Sequence, residues 1–162
     1  MRVIKMVMFD VDGTLTDGKI NFSASGEEFK SFNVKDGYRI IELSKHGIIP
    51  AIITGRYSEI VAKRSAELKI AEVYQDVHNK LEVYEMLREK YSLEDGEIAY
   101  MGDDLNDLDC LKQSGLAGCP KDAAEEIIPY CDFVSAKCGG DGAAREFLDR
   151  IIEQNRICSE NE

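Results

Sequence analysis

The sequence predicts one α/β domain, residues 1–162, in which helices cover both faces of a parallel sheet. The chain has 162 residues, 44% of them hydrophobic, and a chain of this length buries roughly 70% of its unfolded surface in one compact core. Short, nearly uninterrupted apolar runs recur along it, as in strands that are buried on both faces. Segments with helical spacing separate these runs, which is the order of strand-helix-strand units. We therefore expect a Rossmann-like core of three layers.

The first predicted strand is the apolar run Val3–Phe9, which ends at Asp10. Its apolar character is typical of a central strand in a parallel sheet. The remaining strands are predicted at Ile48–Ile53, Ile98–Met101, Leu116–Gly118 and Phe133–Val134. Because functional loops follow the carboxyl ends of parallel strands, the residues directly after each run are the candidates for chemistry.

The predicted helices carry apolar side chains three or four positions apart, and several of them begin at polar residues. In the helix that begins at Lys80, Leu81, Tyr84 and Leu87 have this spacing and are expected to face the core. The six predicted helices are Gly37–Lys45, Ser58–Leu68, Lys80–Tyr91, Asn106–Gln113, Ala123–Ile128 and Gly142–Gln154.

Residues 16–33 interrupt this order with a predicted β-hairpin. Two stretches of alternating apolar and polar residues, around Phe22 and Phe29, flank the polar turn Ser23–Gly26, which is the pattern of two antiparallel strands. Because the hairpin is inserted directly after the first strand, it is expected to border the functional edge of the sheet.

Charge and cysteine content limit the partners and the compartment. The chain has 31 acidic and 20 basic residues and a net charge of −11, which repels nucleic acid and anionic membrane surfaces at long range. The apolar runs are too short to span a membrane, and the N-terminal residues lack a signal-peptide pattern. Five cysteines without a C-x-x-C spacing favour free thiols in a reducing compartment. The sequence thus predicts a cytoplasmic protein.

Two carboxylates follow the first strand, at Asp10 and Asp12. They could be solvated turn residues, since Asp12-Gly13 is a common turn sequence. Their place directly after a buried run instead favours a functional pair at the edge of the sheet. Two anions so close together repel each other unless a cation lies between them, so the pattern indicates a metal site.

The second strand end and one helix start also carry polar groups. Thr54, Gly55 and Arg56 follow the second strand, and their hydroxyl and main-chain amides can approach an anion closely. The same residues could instead form an ordinary helix N-cap. Lys80 opens a helix, where a cation opposes the helix dipole and an acidic residue is more usual. Taken alone, this position says little about function.

The segment after Met101 concentrates three more carboxylates in the sequence GDDLND, residues 102–107. Asn106 or Asp107 could cap the next helix. The adjacent pair Asp103 and Asp104 is better explained by Mg²⁺, which prefers carboxylate oxygens. The sequence therefore predicts a magnesium site at the ends of the first and third predicted strands.

The four motifs FDVDGTLT, ITGR, Lys80 and GDDLND occur in an order that resembles the haloacid dehalogenase (HAD) superfamily. The resemblance spans residues 3 to about 135 and implies a HAD-like fold and phosphate-transfer chemistry. It makes Asp10 the nucleophile and Asp12 the general acid and base, and it assigns phosphate binding to Thr54 and Lys80.

The same resemblance implies a Mg²⁺ ion held by Asp10, by the main-chain carbonyl of Asp12 and by Asp103. Asp104 is expected to belong to this metal site through a metal-bound water. Asp107 is expected to hold Lys80 in place.

Nearly the whole chain is similar to a narrower group of phosphatases. The similarity includes the hairpin, the DGY sequence at residues 36–38 and the GGDGAARE sequence at residues 139–146. These phosphatases act on 3-deoxy-D-manno-octulosonate 8-phosphate or on nonulosonate 9-phosphates, and the resemblance implies a sugar-acid phosphate as substrate, the octulosonate first. Gly55 and Arg56 would bind it, Arg56 through a planar contact with its carboxylate. Arg64 would bind it across a subunit boundary, unless it lies on a solvated helix face.

Many members of the superfamily have a separate cap domain, and this chain has room only for the core and the hairpin. The resemblance to capless members implies that another subunit covers the site. Ile20, Phe22, Phe29 and Phe32 of the hairpin could be buried between protomers, so we expect a homotetramer built around these hairpins. The alternative is a hairpin that folds back on its own domain.

Two other classes of protein are alternatives. A response-regulator receiver also uses acids, a threonine and a lysine around Mg²⁺, but its phospho-acceptor follows the third strand, whereas the DxD motif here follows the first. Similar modules also occur fused to cytidylyltransferases, which keeps open a non-catalytic oligomerising role. The four intact motifs favour an enzyme.

Overall fold

The computed structural model describes residues 2–160, which form eight strands. They are β1 (Met6–Phe9), β2 (Asn21–Phe22), β3 (Glu28–Phe29), β4 (Ile49–Ile53), β5 (Glu72–Tyr74), β6 (Ile98–Met101), β7 (Leu116–Cys119) and β8 (Phe133–Val134). All except β2 and β3 belong to one parallel sheet in the order β5-β4-β1-β6-β7-β8. The predicted parallel sheet is confirmed, with β1 at its centre.

Five α-helices connect or follow these strands within the described residues. They are α1 (Val34–Glu42), α2 (Glu59–Glu67), α3 (Lys80–Lys90), α4 (Leu108–Gln113) and α5 (Ala143–Glu160). Side chains cap two of them, since Asn33 accepts from the Lys35 amide and Ser58 from the Ile60 amide, which satisfies backbone donors that the first helical turn leaves free.

The side chains of β1 alternate between two hydrophobic clusters, one on each face of the sheet. Val7 and Phe9 belong to a cluster with side chains of α1, α2 and α5, whereas Met6 and Met8 belong to a cluster with side chains of α3 and α4. Successive residues of a strand point to opposite faces, so a strand without polar positions requires helices on both sides. This arrangement confirms the three predicted layers.

Two local predictions were wrong. The predicted set lacks β5, because Glu72–Tyr74 is only three residues long and begins with a glutamate, which hides the apolar signal. No α-helix forms at Ala123–Ile128, where the described chain has turns followed by a 3-10 helix, Ile128–Tyr130. Pro129 has no amide hydrogen and its ring disfavours the helical turn before it, so an α-helix in this segment could not continue past Ile128.

The boundaries of three predicted helices also differ from the structure. The first helix begins three residues early, at Val34, because Asn33 caps it. Residues Leu105–Asp107 form a 3-10 turn before α4, and the last helix continues to Glu160.

The hairpin predicted within residues 16–33 is confirmed. Its strands β2 and β3 pair antiparallel, with Asn21 opposite Phe29 and Phe22 opposite Glu28. Phe22 and Phe29 are more than half exposed, whereas Phe32 packs against the core of its own chain. The hairpin therefore exposes one phenylalanine on each of its two faces.

All five cysteines lie within the described residues. Cys110, Cys119, Cys131 and Cys138 are free thiols, and Cys110 and Cys119 are buried. Among residues 2–160, no helix combines the length and the apolar character that crossing a membrane requires.

Candidate active site

The strand register brings the sequence motifs together at one edge of the sheet. Phe9, the last residue of β1, lies opposite Ile52 of β4 and Met101 of β6. The chain segments that leave these three strands therefore meet in space. They line a cleft of about 140 Å³, which is formed by Asp10, Asp12, Thr54, Gly55, Arg56, Asp103, Asp104 and Asn106.

Three carboxylates converge below this cleft, since one oxygen each of Asp10, Asp103 and Asp107 lies within 4.8 Å of the others. Burial, followed by the charge of Asp107, raises the pKa of Asp10 to about 6, although Lys80 acts in the opposite direction. Burial, followed by the charge of Asp10, raises the pKa of Asp103 to about 8. A bound cation relieves such repulsion, and clustered carboxylate oxygens are the donors that Mg²⁺ prefers. The cluster therefore fits a divalent ion.

Lys80 lies between two of these carboxylates and is itself buried. Its Nζ is 2.8 Å from Oδ1 of Asp10 and 2.7 Å from Oδ1 of Asp107, so the expected contact with Asp107 is confirmed. Burial alone would lower the pKa of Lys80, but the charges of Asp10 and Asp107 raise it above its ordinary value. The lysine therefore stays charged and offsets part of the repulsion in the cluster.

Asp107 organises the segment after β6. It accepts hydrogen bonds from the Tyr100 hydroxyl at 2.7 Å and from the main-chain amides of Asp103 and Asp104 at 3.0 and 3.3 Å. These bonds form because the 3-10 turn Leu105–Asp107 folds the carboxylate back toward β6. The position of Asp103 is therefore set by a carboxylate four residues further along the chain.

The side chains of Asp104 and Asp12, the other predicted metal residues, lie outside the three-carboxylate cluster. Asp104 is exposed, and its side chain accepts from the amide of Leu105, so it lines the cleft without joining the three-carboxylate cluster. The Asp12 side chain also lies outside that cluster. Thr14 Oγ1 donates to Oδ1 of Asp103 at 2.8 Å, a contact that sequence reasoning missed.

Two hairpin residues contact residues that line the cleft, and these contacts were not predicted. Lys30 Nζ is 2.5 Å from Oδ1 of Asp12 and 3.4 Å from Oε1 of Glu28. Glu28 also pairs with Arg56 at 3.2 Å and accepts from the Ser58 hydroxyl at 3.2 Å. The signal available in the sequence was the alternation of the hairpin, which puts Glu28 and Lys30 on the same side of an extended segment.

Arg64 does not reach the cleft of its own chain. It lies beside Phe32 and pairs with Glu67 at 3.1 Å, in a small hollow that Leu15 and Asp36 also line. Contact between Arg64 and a ligand in an Asp10 cleft therefore needs a second protomer.

Glycines allow two loops to pack closely at the site. Gly13 has φ +94°, and a Cβ there would lie 2.0 Å from Oδ2 of Asp103. A Cβ on Gly139 would lie 1.8 Å from the carbonyl oxygen of Gly13. A larger residue at position 13 would displace the Asp103 side chain, and one at position 139 would push the loop after β8 away from the loop that carries Asp12, so both positions require glycine.

Comparison with known proteins agrees with this fold. Residues 57–147 match the family model of haloacid dehalogenase-like hydrolases. The chain belongs to this family and is a phosphoric monoester hydrolase.

Within this family, the chain is similar to phosphatases of one sugar-acid phosphate. The chain is 42% identical over 149 residues to the 3-deoxy-D-manno-octulosonate 8-phosphate phosphatase KdsC of Escherichia coli K12, covering 92% of this chain and 79% of that protein. The corresponding phosphatase of Moraxella catarrhalis, crystallised with magnesium, phosphate and KDO, is 39% identical with a TM-score of 0.90 over 93% of this chain and 86% of that chain. The cobalt-bound phosphatase of Haemophilus influenzae is 35% identical with a TM-score of 0.90 over 94% and 90%.

Proposed function

We propose that this chain hydrolyses the phosphate monoester of a 2-keto-3-deoxy sugar acid, with 3-deoxy-D-manno-octulosonate 8-phosphate as the favoured substrate. The observation that carries the proposal is the buried cluster of Asp10, Asp103 and Asp107 with Lys80 across it. Phosphatases of this substrate that are about 40% identical over nearly the whole chain support the choice of substrate. We also propose that residues 1–162 act as one domain.

The carboxylate cluster would hold Mg²⁺ through Asp10, Asp103 and the main-chain carbonyl of Asp12, with Asp104 acting through water. When bound, the ion offsets the repulsion between Asp10 and a phosphate dianion and stabilises charge on the phosphate oxygens. Thr54 and Lys80 would bind these oxygens from other sides, since Thr54 lines the cleft and Lys80 contacts Asp10 directly.

In the first step, a carboxylate oxygen of Asp10 attacks phosphorus and the bond from phosphorus to the sugar oxygen breaks. Asp12 donates a proton to that leaving oxygen, so the sugar departs as an alcohol. The phosphoryl group is then bound covalently to Asp10. Lys80 keeps a positive charge against the reacting carboxylate throughout this step.

In the second step, Asp12 takes a proton from a water molecule that attacks phosphorus. The bond between phosphorus and Asp10 breaks, which releases inorganic phosphate and restores the carboxylate. Asp12 can act in both steps because the proton that it donates in the first is replaced by the proton that it accepts in the second.

Arg56 and Gly55 line the same cleft and would bind the substrate, Arg56 through the carboxylate of the sugar acid. To test the assignment, purified protein with Mg²⁺ is assayed against octulosonate 8-phosphate, nonulosonate 9-phosphates and simple sugar phosphates. We expect the highest kcat/KM for octulosonate 8-phosphate. A higher kcat/KM for a nonulosonate 9-phosphate would make that compound the assigned substrate instead. If the protein hydrolyses none of these compounds, a non-catalytic oligomerising role is favoured.

We further propose that the chain forms a homotetramer through its hairpins, which would bring Arg64 of one protomer toward the cleft of another. The exposure of Phe22 (58%) and Phe29 (55%) supports this arrangement, because large aromatic side chains that are exposed on an inserted element are typical of interaction surfaces. Sedimentation at micromolar concentration is expected to give four times the 18.2 kDa of one chain. A fully active monomer would exclude both the assembly and the shared site.

A further inference from the structure

The side chain of Lys30 is buried at the active-site cleft, although none of the four sequence motifs contains it. Only 2% of this side chain is exposed, and its Nζ contacts Oδ1 of Asp12 at 2.5 Å. A buried ammonium is costly unless it is paired and hydrogen-bonded. The steps described above give this lysine no role.

The hairpin fixes the position of Lys30 from a second side. Glu28, two residues earlier, lies 3.4 Å from Lys30 Nζ and is itself bound to Arg56 and Ser58 of the main domain. Phe29 between them is 55% exposed. The ammonium group of Lys30 is therefore held between the carboxylates of Glu28 and Asp12 and does not extend into solvent.

We propose that Lys30 is a positioning residue that orients the carboxyl group of Asp12. Lysine can only donate hydrogen bonds, so its contact occupies Oδ1 and leaves Oδ2 as the oxygen that carries the proton. In the first step this proton passes from Oδ2 to the leaving oxygen as the phosphorus-oxygen bond breaks, and in the second step Oδ2 takes a proton from water. The proposal rests on the proposed phosphatase function and adds a role for the hairpin to it.

The test uses two phosphate esters of similar shape and different leaving groups, phenyl phosphate and p-nitrophenyl phosphate. The p-nitrophenolate ion is a good leaving group without a proton, whereas phenolate is a poor one and depends on the acid. The ratio kcat/KM reports only the steps up to the covalent intermediate, so it isolates proton donation from the later hydrolysis.

In Lys30→Met we expect kcat/KM for phenyl phosphate to fall about 100-fold, which is the range of general acid catalysis. For p-nitrophenyl phosphate we expect a fall of less than about fivefold, because that step needs little acid catalysis. Lys19→Met is the matched control, since Lys19 is a hairpin lysine whose side chain is 76% exposed, and both substrates should keep wild-type kcat/KM.

Equal losses on both substrates would overturn the proposal, because they would indicate phosphate binding or general support of the fold. Unchanged values on both would overturn it as well. If Lys30→Met does not fold, Lys30→Ala removes the donor without placing a long apolar chain beside Asp12, and it must show the same dependence on the leaving group. A wild-type protein that hydrolyses neither these esters nor sugar-acid phosphates would overturn the proposed function itself.

Discussion

Replacing Asp10 with asparagine will abolish phosphate release while the protein remains folded. An amide cannot attack phosphorus as a carboxylate does, and it cannot form the acyl phosphate. We expect kcat to fall by at least about 10⁴-fold, which corresponds to roughly 5.5 kcal/mol of lost transition-state stabilisation. The measurement is the release of inorganic phosphate by wild type and variant under the same conditions with Mg²⁺.

The melting temperature shows whether the loss is chemical or structural. Lys80 keeps Asp107 as a partner in Asp10→Asn, and the variant lacks a carboxylate whose pKa is raised to about 6 mainly by burial. At pH 8 without divalent ions, the variant should therefore melt no lower than the wild type. Asp109→Asn, an exposed position on α4, is the matched control and should stay active. Wild-type turnover by folded Asp10→Asn would exclude the covalent mechanism.

Removal of divalent ions will have the second large effect. Exhaustive chelation is expected to lower kcat by at least about 10³-fold, because the ion supplies several kcal/mol of charge stabilisation. Added Mg²⁺ should restore the rate. Phosphate release before chelation, after it and after Mg²⁺ addition measures the effect, and full activity in the chelated protein would remove the metal from the mechanism.

The same cluster predicts how stability depends on pH. Asp10 and Asp103 have folded pKa values of about 6 and about 8, raised above the ordinary 3.8. The folded state thus holds these protons more tightly than the unfolded state, so their contribution to stability is greatest below pH 4 and is lost as the pH rises through 6 and 8. Without a cation, we expect a lower free energy of unfolding at pH 8 than at pH 5.

Mg²⁺ should reverse this trend, because it binds the ionised carboxylates. An ion at 100 times its dissociation constant stabilises the folded state by about 2.7 kcal/mol, and protons compete less at pH 8 than at pH 5. We therefore expect the rise in melting temperature on adding Mg²⁺ to be larger at pH 8. Equal melting temperatures with and without Mg²⁺ at pH 8 would argue against a metal in this cluster.

The fold class and the edge that carries the site were predictable because both depend on local patterns. A strand such as Met6–Phe9 with four buried residues must lie between two layers of helices, and the carboxyl ends of parallel strands meet at one edge. The expected nearness of Asp10, Thr54 and Asp103 follows from these two facts. Two elements were mispredicted. A strand of only three residues, β5, is too short to give a clear apolar pattern, and the helix predicted at 123–128 has a proline directly after it.

Local patterns in the sequence therefore predict the layers, the hairpin and most of the residues that line the cleft. Which of these residues touch each other depends on the tertiary structure. Asp107 rather than Asp104 joins Asp10 and Asp103, because a 3-10 turn folds it back beneath β6. Lys30, which follows β3, contacts Asp12 in the loop that follows β1. Periodicity along a chain specifies the face of a helix or strand on which a side chain lies. The residue that this side chain contacts belongs to a segment distant in sequence, and the position of that segment depends on the packing of the whole core.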